Sequence, residues 1–251
     1  MEKIDILVCD SAAYNKKLYK TIKEGINPKG GLMRCWTHLL DLVSDCWQDS
    51  ELNGNLHTIT AKFQHLLNRS SLRKTRYIQF LKDKGCPNPK SMPTMVLTRW
   101  NSWYQIICYL AEFLPHIKAF AVAEKPKENS ELVNCLLEIL EDPYKYSEIK
   151  LLVQFYFENA QVCSDMIQYF ETPKGITHQS YNKITNLWNF LRFNVYNDDF
   201  GESIHQIINQ NDMDLSFWTS AFKNLYRKAF IKLDQGARTL GIFKGSQGFL
   251  S

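Results

Sequence analysis

The feature that most constrains the fold is the unequal distribution of strand and helix patterns along the chain. Strand patterns are confined to the start, where IDILVCD (4–10) and GLMRCW (31–36) are short apolar runs. The later apolar positions recur at helical spacing, over 55–68, 71–84, 129–141, 147–171, 177–194, 201–209 and 215–233. Because two strands do not form a stable sheet alone, we expect a small, incomplete α/β part followed by a long helical body.

Composition indicates a folded protein with reduced thiols. Of the 251 residues, 45% are hydrophobic and 13% aromatic, which is enough to bury a core. The seven cysteines are odd in number and widely spaced, as in a cytosolic or nuclear protein. Charged residues interrupt the first apolar run, and no apolar stretch approaches the roughly 20 residues that span a bilayer. The chain is therefore expected to be soluble and intracellular, without a membrane partner.

Positive charge is concentrated in one segment. Seven lysines and arginines lie between residues 62 and 84: Lys62, Arg69, Arg73, Lys74, Arg76, Lys82 and Lys84. Asp83 is the one acidic residue among them, so the segment carries +6 in a chain of net charge +4. Such a segment is either the solvated face of an amphipathic helix pair or a surface that contacts phosphates.

A second feature follows the proline-containing loop GCPNPKSMP (85–93). VLTRWNSWYQ (96–105) places Trp100 and Trp103 three residues apart, on one face of a helix for which Thr98 is a plausible cap. The tryptophans either pack in the core, or Trp100 offers its ring to an unstacked base while Arg99 holds a phosphate.

Asp10 and the pair Cys35 and His38 are the remaining chemical candidates. Asp10 ends the first strand, where an aspartate either caps the next helix or serves as a catalytic carboxylate. A single carboxylate cannot hold two metal ions. Cys35 and His38 form a Cys-x-x-His step, but structural zinc needs four ligands, and Cys46, His57 and His65 complete no recognised spacing. The alternative is a partly buried pair at a strand–helix junction.

The order of these motifs resembles the hAT superfamily of DNA transposases. LVCDSAAYNKK (7–17), RCWTHLLDLV (34–43) and VLTRWNSWYQ follow one another as the aspartate-alanine-alanine, Cys-x-x-His and TRW steps do in that family. AEFLPHIKAF (111–120) and DMIQYFETPKGITHQSYNKITNLWNFL (165–191) resemble its helical insertion domain. The likeness covers most of residues 4–195.

The resemblance implies roles for the candidate residues. Asp10 corresponds to the second carboxylate of the family's Asp-Asp-Glu triad on an RNase H-like fold, and Cys35 and His38 lie close to that site. Arg99 and Trp100 correspond to the pair that stabilises a flipped base during hairpin formation. The first aspartate and the final glutamate of the triad are not identified here, so Asp10 is interpreted as vestigial. No cofactor is expected, since Mg²⁺ would require the full triad.

We therefore expect a truncated or domesticated transposase without catalytic activity. Residues 1–96 are predicted to be a partial RNase H-like catalytic-core remnant, 97–234 a helical insertion domain and 235–251 a disordered tail.

The predicted function is DNA binding in the nucleus, with a role in transcriptional regulation like that of domesticated relatives such as the CGG-repeat-binding protein group. The phosphate contacts are assigned to Arg69, Arg73, Lys74 and Arg76. Full-length relatives suggest a homo-oligomer. Two alternatives stay open: a fragment of an active hAT transposase, and a helical protein-interaction module with no DNA role.

Overall fold

The computed structural model describes residues 6–9, 13–25, 28, 31–96, 100–126, 130–172 and 177–239. The chain divides into two compact units, each assembled from separate segments. The first unit contains Met1–Trp47, Asp165–Tyr196 and Asn224–Ser251, and the second contains Gln48–Ser164 and Asn197–Lys223.

The first unit begins with a strand–helix–strand element. Strand β1 (Ile6–Cys9) is followed by helix α1 (Ala13–Gly25) and strand β2 (Gly31–Arg34). The strands pair in parallel, from Ile6 opposite Gly31 to Cys9 opposite Arg34. Parallel pairing requires a crossover connection, which α1 supplies. Both predicted strands are thus confirmed, within a described chain that is mostly helical.

Helices complete the first unit. They are α2 (Trp36–Gln48), most of α8 (Gln161–Glu171), α9 (Thr177–Tyr196) and the later part of α11 (Leu215–Thr239). The indole of Trp47 is fully buried, donates its N–H to the Leu225 carbonyl at 3.1 Å and packs edge-on against the Tyr226 ring. On α9, Trp188 donates its indole N–H to Asp234 Oδ1 at 3.0 Å.

The second unit is a helical assembly within the described residues. After a 3₁₀ turn (Glu51–Asn53) it contains α3 (Gly54–Asn68), α4 (Ser71–Asp83), α5 (Trp100–Glu124), α6 (Glu131–Leu140), α7 (Pro143–Asn159) and α10 (Glu202–Gln210). Serine and aspartate side chains cap several of these helices: Ser70 begins α4, Ser130 begins α6, and Asp142 with Pro143 begins α7.

Helix α5 is the longest core element of the second unit. Trp103 packs edge-on against Tyr156 of α7, and the Tyr104 hydroxyl donates to the Phe157 carbonyl at 3.1 Å. The helix has 25 residues and a window of mean hydropathy 1.5, half of it buried. The expectation that no apolar stretch is long enough to span a bilayer was therefore wrong by length and composition. A buried core helix also meets these criteria of length and apolar composition. The packing of α5 is that of such a core helix.

Several predicted boundaries differ from the structure. The single helix predicted over 147–171 is two helices, because α7 ends at Asn159 with Ala160 as its C-cap residue, and α8 begins at Gln161. Residues 235–239, predicted as tail, are the last turn of α11. Residues 240–251 lie outside the described residues, and the predicted boundary between residues 96 and 97 falls within the second unit.

Candidate nucleic-acid interface

The predicted basic segment forms the end of α3, the connection to α4, and α4 itself. Arg69 and Lys74 lie on either side of the start of α4, and both side chains are exposed. Ser70 fixes this start, because its hydroxyl accepts the Arg73 backbone N–H at 3.2 Å. The structure therefore leaves the side chains of Arg69 and Lys74 open to solvent, and their contact with phosphate stays a prediction.

Arg73 and Arg76 are placed differently. Arg73 is 4% exposed, and its Nη1 donates to the Leu66 carbonyl at 2.8 Å. Arg76 donates from Nε and Nη2 to the two carboxylate oxygens of Glu124, at 3.1 and 2.5 Å. Glu124 is fully buried and also lies 3.7 Å from Arg73 Nε.

This internal ion pair corrects the sequence-based assignment of Arg73 and Arg76. A buried carboxylate needs cationic or hydrogen-bonding partners, because charge is costly to remove from water. The two arginines meet that need for Glu124. Arg73 is thus a structural residue with little surface for a phosphate, and Arg76 is committed to Glu124 in a bidentate pair.

A cavity of about 470 Å³ lies beside the start of α4. Its walls come from the second half of α3, the connection to α4, and the starts of α4 and α6: Lys62, Arg69, Ser70, Arg73, Ser130, Glu131 and Leu132. Three cations face one carboxylate in this lining, although Arg73 is shared with Glu124. A concave surface with excess positive charge attracts anions more strongly than a flat one.

Trp100 lies in the core of the second unit. Its side chain is 2% exposed and its ring centroid lies 4.6 Å from that of Trp103. A base cannot stack on a ring that other side chains cover. The structure therefore places Trp100 as the packing alternative predicts, and not as a base platform.

Cys35 and His38 lie at the junction of β2 and α2 in the first unit. Both side chains are half-buried, as predicted for a partly buried pair at a strand–helix junction. One turn further along α2, burial raises the pKa of Asp41 to about 6, and the neighbouring carboxylates Asp45 and Glu171 contribute, while His38 opposes them. His38 is thus close enough to Asp41 to interact with its carboxylate electrostatically.

Among the residues that the structure describes, no three His, Cys, Asp or Glu side chains form a group that could hold a metal ion. Cys46 donates its thiol to the Leu42 carbonyl at 3.5 Å, and His57 Nε2 lies 2.8 Å from the Gln48 carbonyl. His65 is exposed on α3. Asp10 and Arg99 lie outside the described residues.

Two further residues, Glu124 and Lys62, shape this surface without a sequence pattern that selects them. Glu124 is 48 residues from Arg76, and an isolated acidic residue at a helix end has no local pattern that marks it as buried. Lys62 was counted in the basic segment but was not selected, although the turn between α3 and α4 brings it to the same cavity as Arg69.

Comparisons of this chain with known protein families, with curated proteins and with solved structures gave no match.

Proposed function

We propose that this chain binds nucleic acid through phosphate contacts centred on the start of α4, and that it is a catalytically inactive relative of hAT transposases acting in the nucleus. The motif order LVCDSAAYNKK, RCWTHLLDLV and VLTRWNSWYQ supports the relationship. The proposal includes an RNase H-like origin for the β1–α1–β2 element, a role in transcriptional regulation and, by analogy with full-length relatives, a homo-oligomer.

One observation carries the binding part of the proposal. Arg69 and Lys74 are exposed beside a cavity that Lys62 also lines. Lysine and arginine side chains that neutralise phosphates release bound counterions, which makes binding strong at low salt and steeply salt-dependent. The surface is therefore suited to a phosphate backbone.

Arg73 and Arg76 contribute indirectly. Their ion pairs with Glu124 connect α4 to the end of α5. This fixes the start of α4, and with it the positions of Arg69 and Lys74. DNA is thus contacted by the exposed cations, while the buried pair maintains their spacing.

Binding without strand cleavage is the expected behaviour. Two-metal phosphoryl chemistry needs several convergent carboxylates, and the resemblance assigns Asp10 alone to the catalytic set. Incubation of the purified chain with duplex DNA and Mg²⁺ should leave the DNA intact. Nicked or joined products would instead favour a fragment of an active transposase.

The binding site is tested by reversing its two exposed cations together. Arg69→Glu with Lys74→Glu should weaken duplex binding at least tenfold at low salt, because two attractive contacts become repulsive. The slope of log affinity against log salt concentration should also fall by about 2, since about one unit is lost per phosphate contact. Fluorescence anisotropy at four salt concentrations measures both quantities.

The matched control reverses two exposed cations elsewhere. Arg227 and Lys228 are both exposed on α11, so Arg227→Glu with Lys228→Glu changes the net charge by the same amount. We expect the control to weaken binding less than threefold. Equal losses in the two double variants would show that net charge, and not the start of α4, determines affinity.

A helical protein-interaction module is the second candidate. The observation in its favour is on α9, where Phe193 and Tyr196 are 68% and 66% exposed. Large exposed aromatic side chains are enriched at protein interfaces. A wild-type chain whose binding to DNA is weak and unaffected by salt would support this candidate over nucleic-acid binding.

A further inference from the structure

Cys86 lies where α4 ends, in a position fixed by a glycine turn. Gly85 has φ +73°, which glycine adopts without strain. The Gly85 N–H bonds to the Lys82 carbonyl at 2.9 Å and the Cys86 N–H to the Leu81 carbonyl at 3.0 Å, as in a Schellman motif. This closure holds Cys86 at the helix end, beside the exposed residues Pro87 and Asn88.

His116 of α5 faces the thiol of Cys86. The Sγ atom lies 3.4 Å from Nε2 of the imidazole, within hydrogen-bond distance for sulfur, and both side chains are half-buried. A neutral imidazole has one nitrogen that accepts a hydrogen bond, and a thiol is a weak donor. His116 is therefore placed to take the proton from Cys86.

Other thiols of the chain are in less reactive surroundings. Cys46 donates to a carbonyl of its own helix, and burial raises the pKa of this thiol and that of Cys108. Cys163 is 1% exposed. The thiolate is the nucleophile in exchange with disulfides, so a thiol beside a base and near solvent reacts first.

Exposed charged residues lie near Cys86 along the chain. Lys84 is exposed two residues before it, and Lys90 is exposed four residues after it. Lys90 is 3.3 Å from Glu112, which lies one turn before His116. Glutathione disulfide is the small disulfide of reducing compartments, so it is the reagent that a reactive thiol at this position would meet.

We propose that Cys86 and His116 form a reactive thiol–imidazole pair that makes Cys86 a site of modification by glutathione disulfide. The thiol proton passes to His116 Nε2, and the Cys86 sulfur bonds to one sulfur of the disulfide. The sulfur–sulfur bond of glutathione disulfide breaks, and the released glutathione thiolate takes up the proton. The products are one protein–glutathione mixed disulfide and one glutathione.

The test follows modification of each cysteine in the full-length wild-type chain. The protein is incubated with glutathione disulfide, free thiols are blocked at timed intervals, and peptides are quantified by mass spectrometry. Cys135 is the internal control, because it is also half-buried and lies in the same unit. We expect Cys86 to react at least fivefold faster than Cys135. Equal rates would overturn the proposal.

A variant then tests the contribution of the imidazole. His116→Gln removes the base but keeps a polar side chain, and it should slow modification of Cys86 at least fivefold without changing the rate at Cys135. Circular dichroism and thermal melting establish whether the variant is folded. An unchanged rate at Cys86 in the folded variant would overturn the role of His116 and the proposal with it. If the variant does not fold, the modification rates of Cys86 and Cys135 in the wild-type chain decide whether the proposal holds.

Discussion

Asp41 shows how the surroundings of one residue influence stability. Burial of its carboxyl group, with the nearby charges of Asp45 and Glu171, raises its pKa from 3.8 to about 6. The folded state therefore holds a proton that the unfolded state releases between pH 4 and 6. Stability falls as pH rises through this window, because the charged carboxylate is less favourable in the folded protein.

Asp41→Asn should remove this pH dependence. At pH 4 the variant and the wild type should be about equally stable, and at pH 7 the variant should be more stable by about 1 kcal/mol once solvent screening is allowed for. Urea unfolding at pH 4, 5, 6 and 7 measures the difference. Asp49→Asn, at an exposed aspartate just after α2, is the control and should show no such trend. A stability difference between Asp41→Asn and the wild type that stays constant with pH would contradict the raised pKa of Asp41.

At the scale of elements, the ion pairs between α4 and α5 are the contact with the clearest energetic consequence. Glu124, at the end of α5, has 0% side-chain exposure, whereas the side chains of Arg73 and Arg76 are 5% and 33% exposed. Removing one partner of such a cluster leaves charge in a site that water does not reach.

Glu124→Ala should destabilise the protein by about 3–5 kcal/mol, because it leaves Arg73 buried without its carboxylate. The control is Glu112→Ala on the same helix, which breaks the exposed pair with Lys90 and should cost less than about 1 kcal/mol. Urea midpoints of the two variants give the comparison. Similar losses would mean that the buried pair adds no more than the exposed pair.

Sequence patterns predicted most helices well because the signals are local. The predictions over 55–68 and 71–84 match α3 (Gly54–Asn68) and α4 (Ser71–Asp83) to within a residue or so, since apolar spacing marks both helices and Ser70 caps α4. The break between α7 and α8 was missed, because apolar residues continue across Ala160 with no proline or glycine to mark it.

The candidate site was predicted in part, for a related reason. The exposure of Arg69 and Lys74 follows from a local pattern of charge, whereas the burial of Arg73 depends on Glu124, a distant residue. Gly236 shows the same limit. It falls in the segment 235–251 that was predicted to be a disordered tail, but it lies in α11, where a Cβ atom would come within 2.2 Å of Leu39 Cδ1. Close packing between α2 and α11 explains why a glycine occupies this position. No local sequence pattern reveals such packing.

At the scale of the whole molecule, the units do not follow a single boundary along the chain. The first unit combines three segments and the second combines two. A linear division at 96/97 cannot describe such an arrangement, because packing between distant segments determines the units. The contacts of Trp47 illustrate this, since its hydrogen bond to the Leu225 carbonyl spans 178 residues.

Truncation after Lys223 should unfold the first unit selectively. It removes the Leu225 carbonyl and the Tyr226 ring, which contact Trp47, but no segment of the second unit. Limited proteolysis should cut within 13–47 and 177–196 while 48–164 resists. In the full-length chain all three ranges should resist. Cleavage throughout the truncated chain would show that the second unit depends on the first.

The interleaved segments also impose an order on events during synthesis. Residues up to Lys223 supply every part of the second unit, but the first unit needs the segment that begins at Asn224. While a ribosome is still adding those residues, Leu39 and Trp47 have no α11 to cover them. A nascent chain can therefore complete its second unit first, and during that interval the apolar face of α2 stays uncovered.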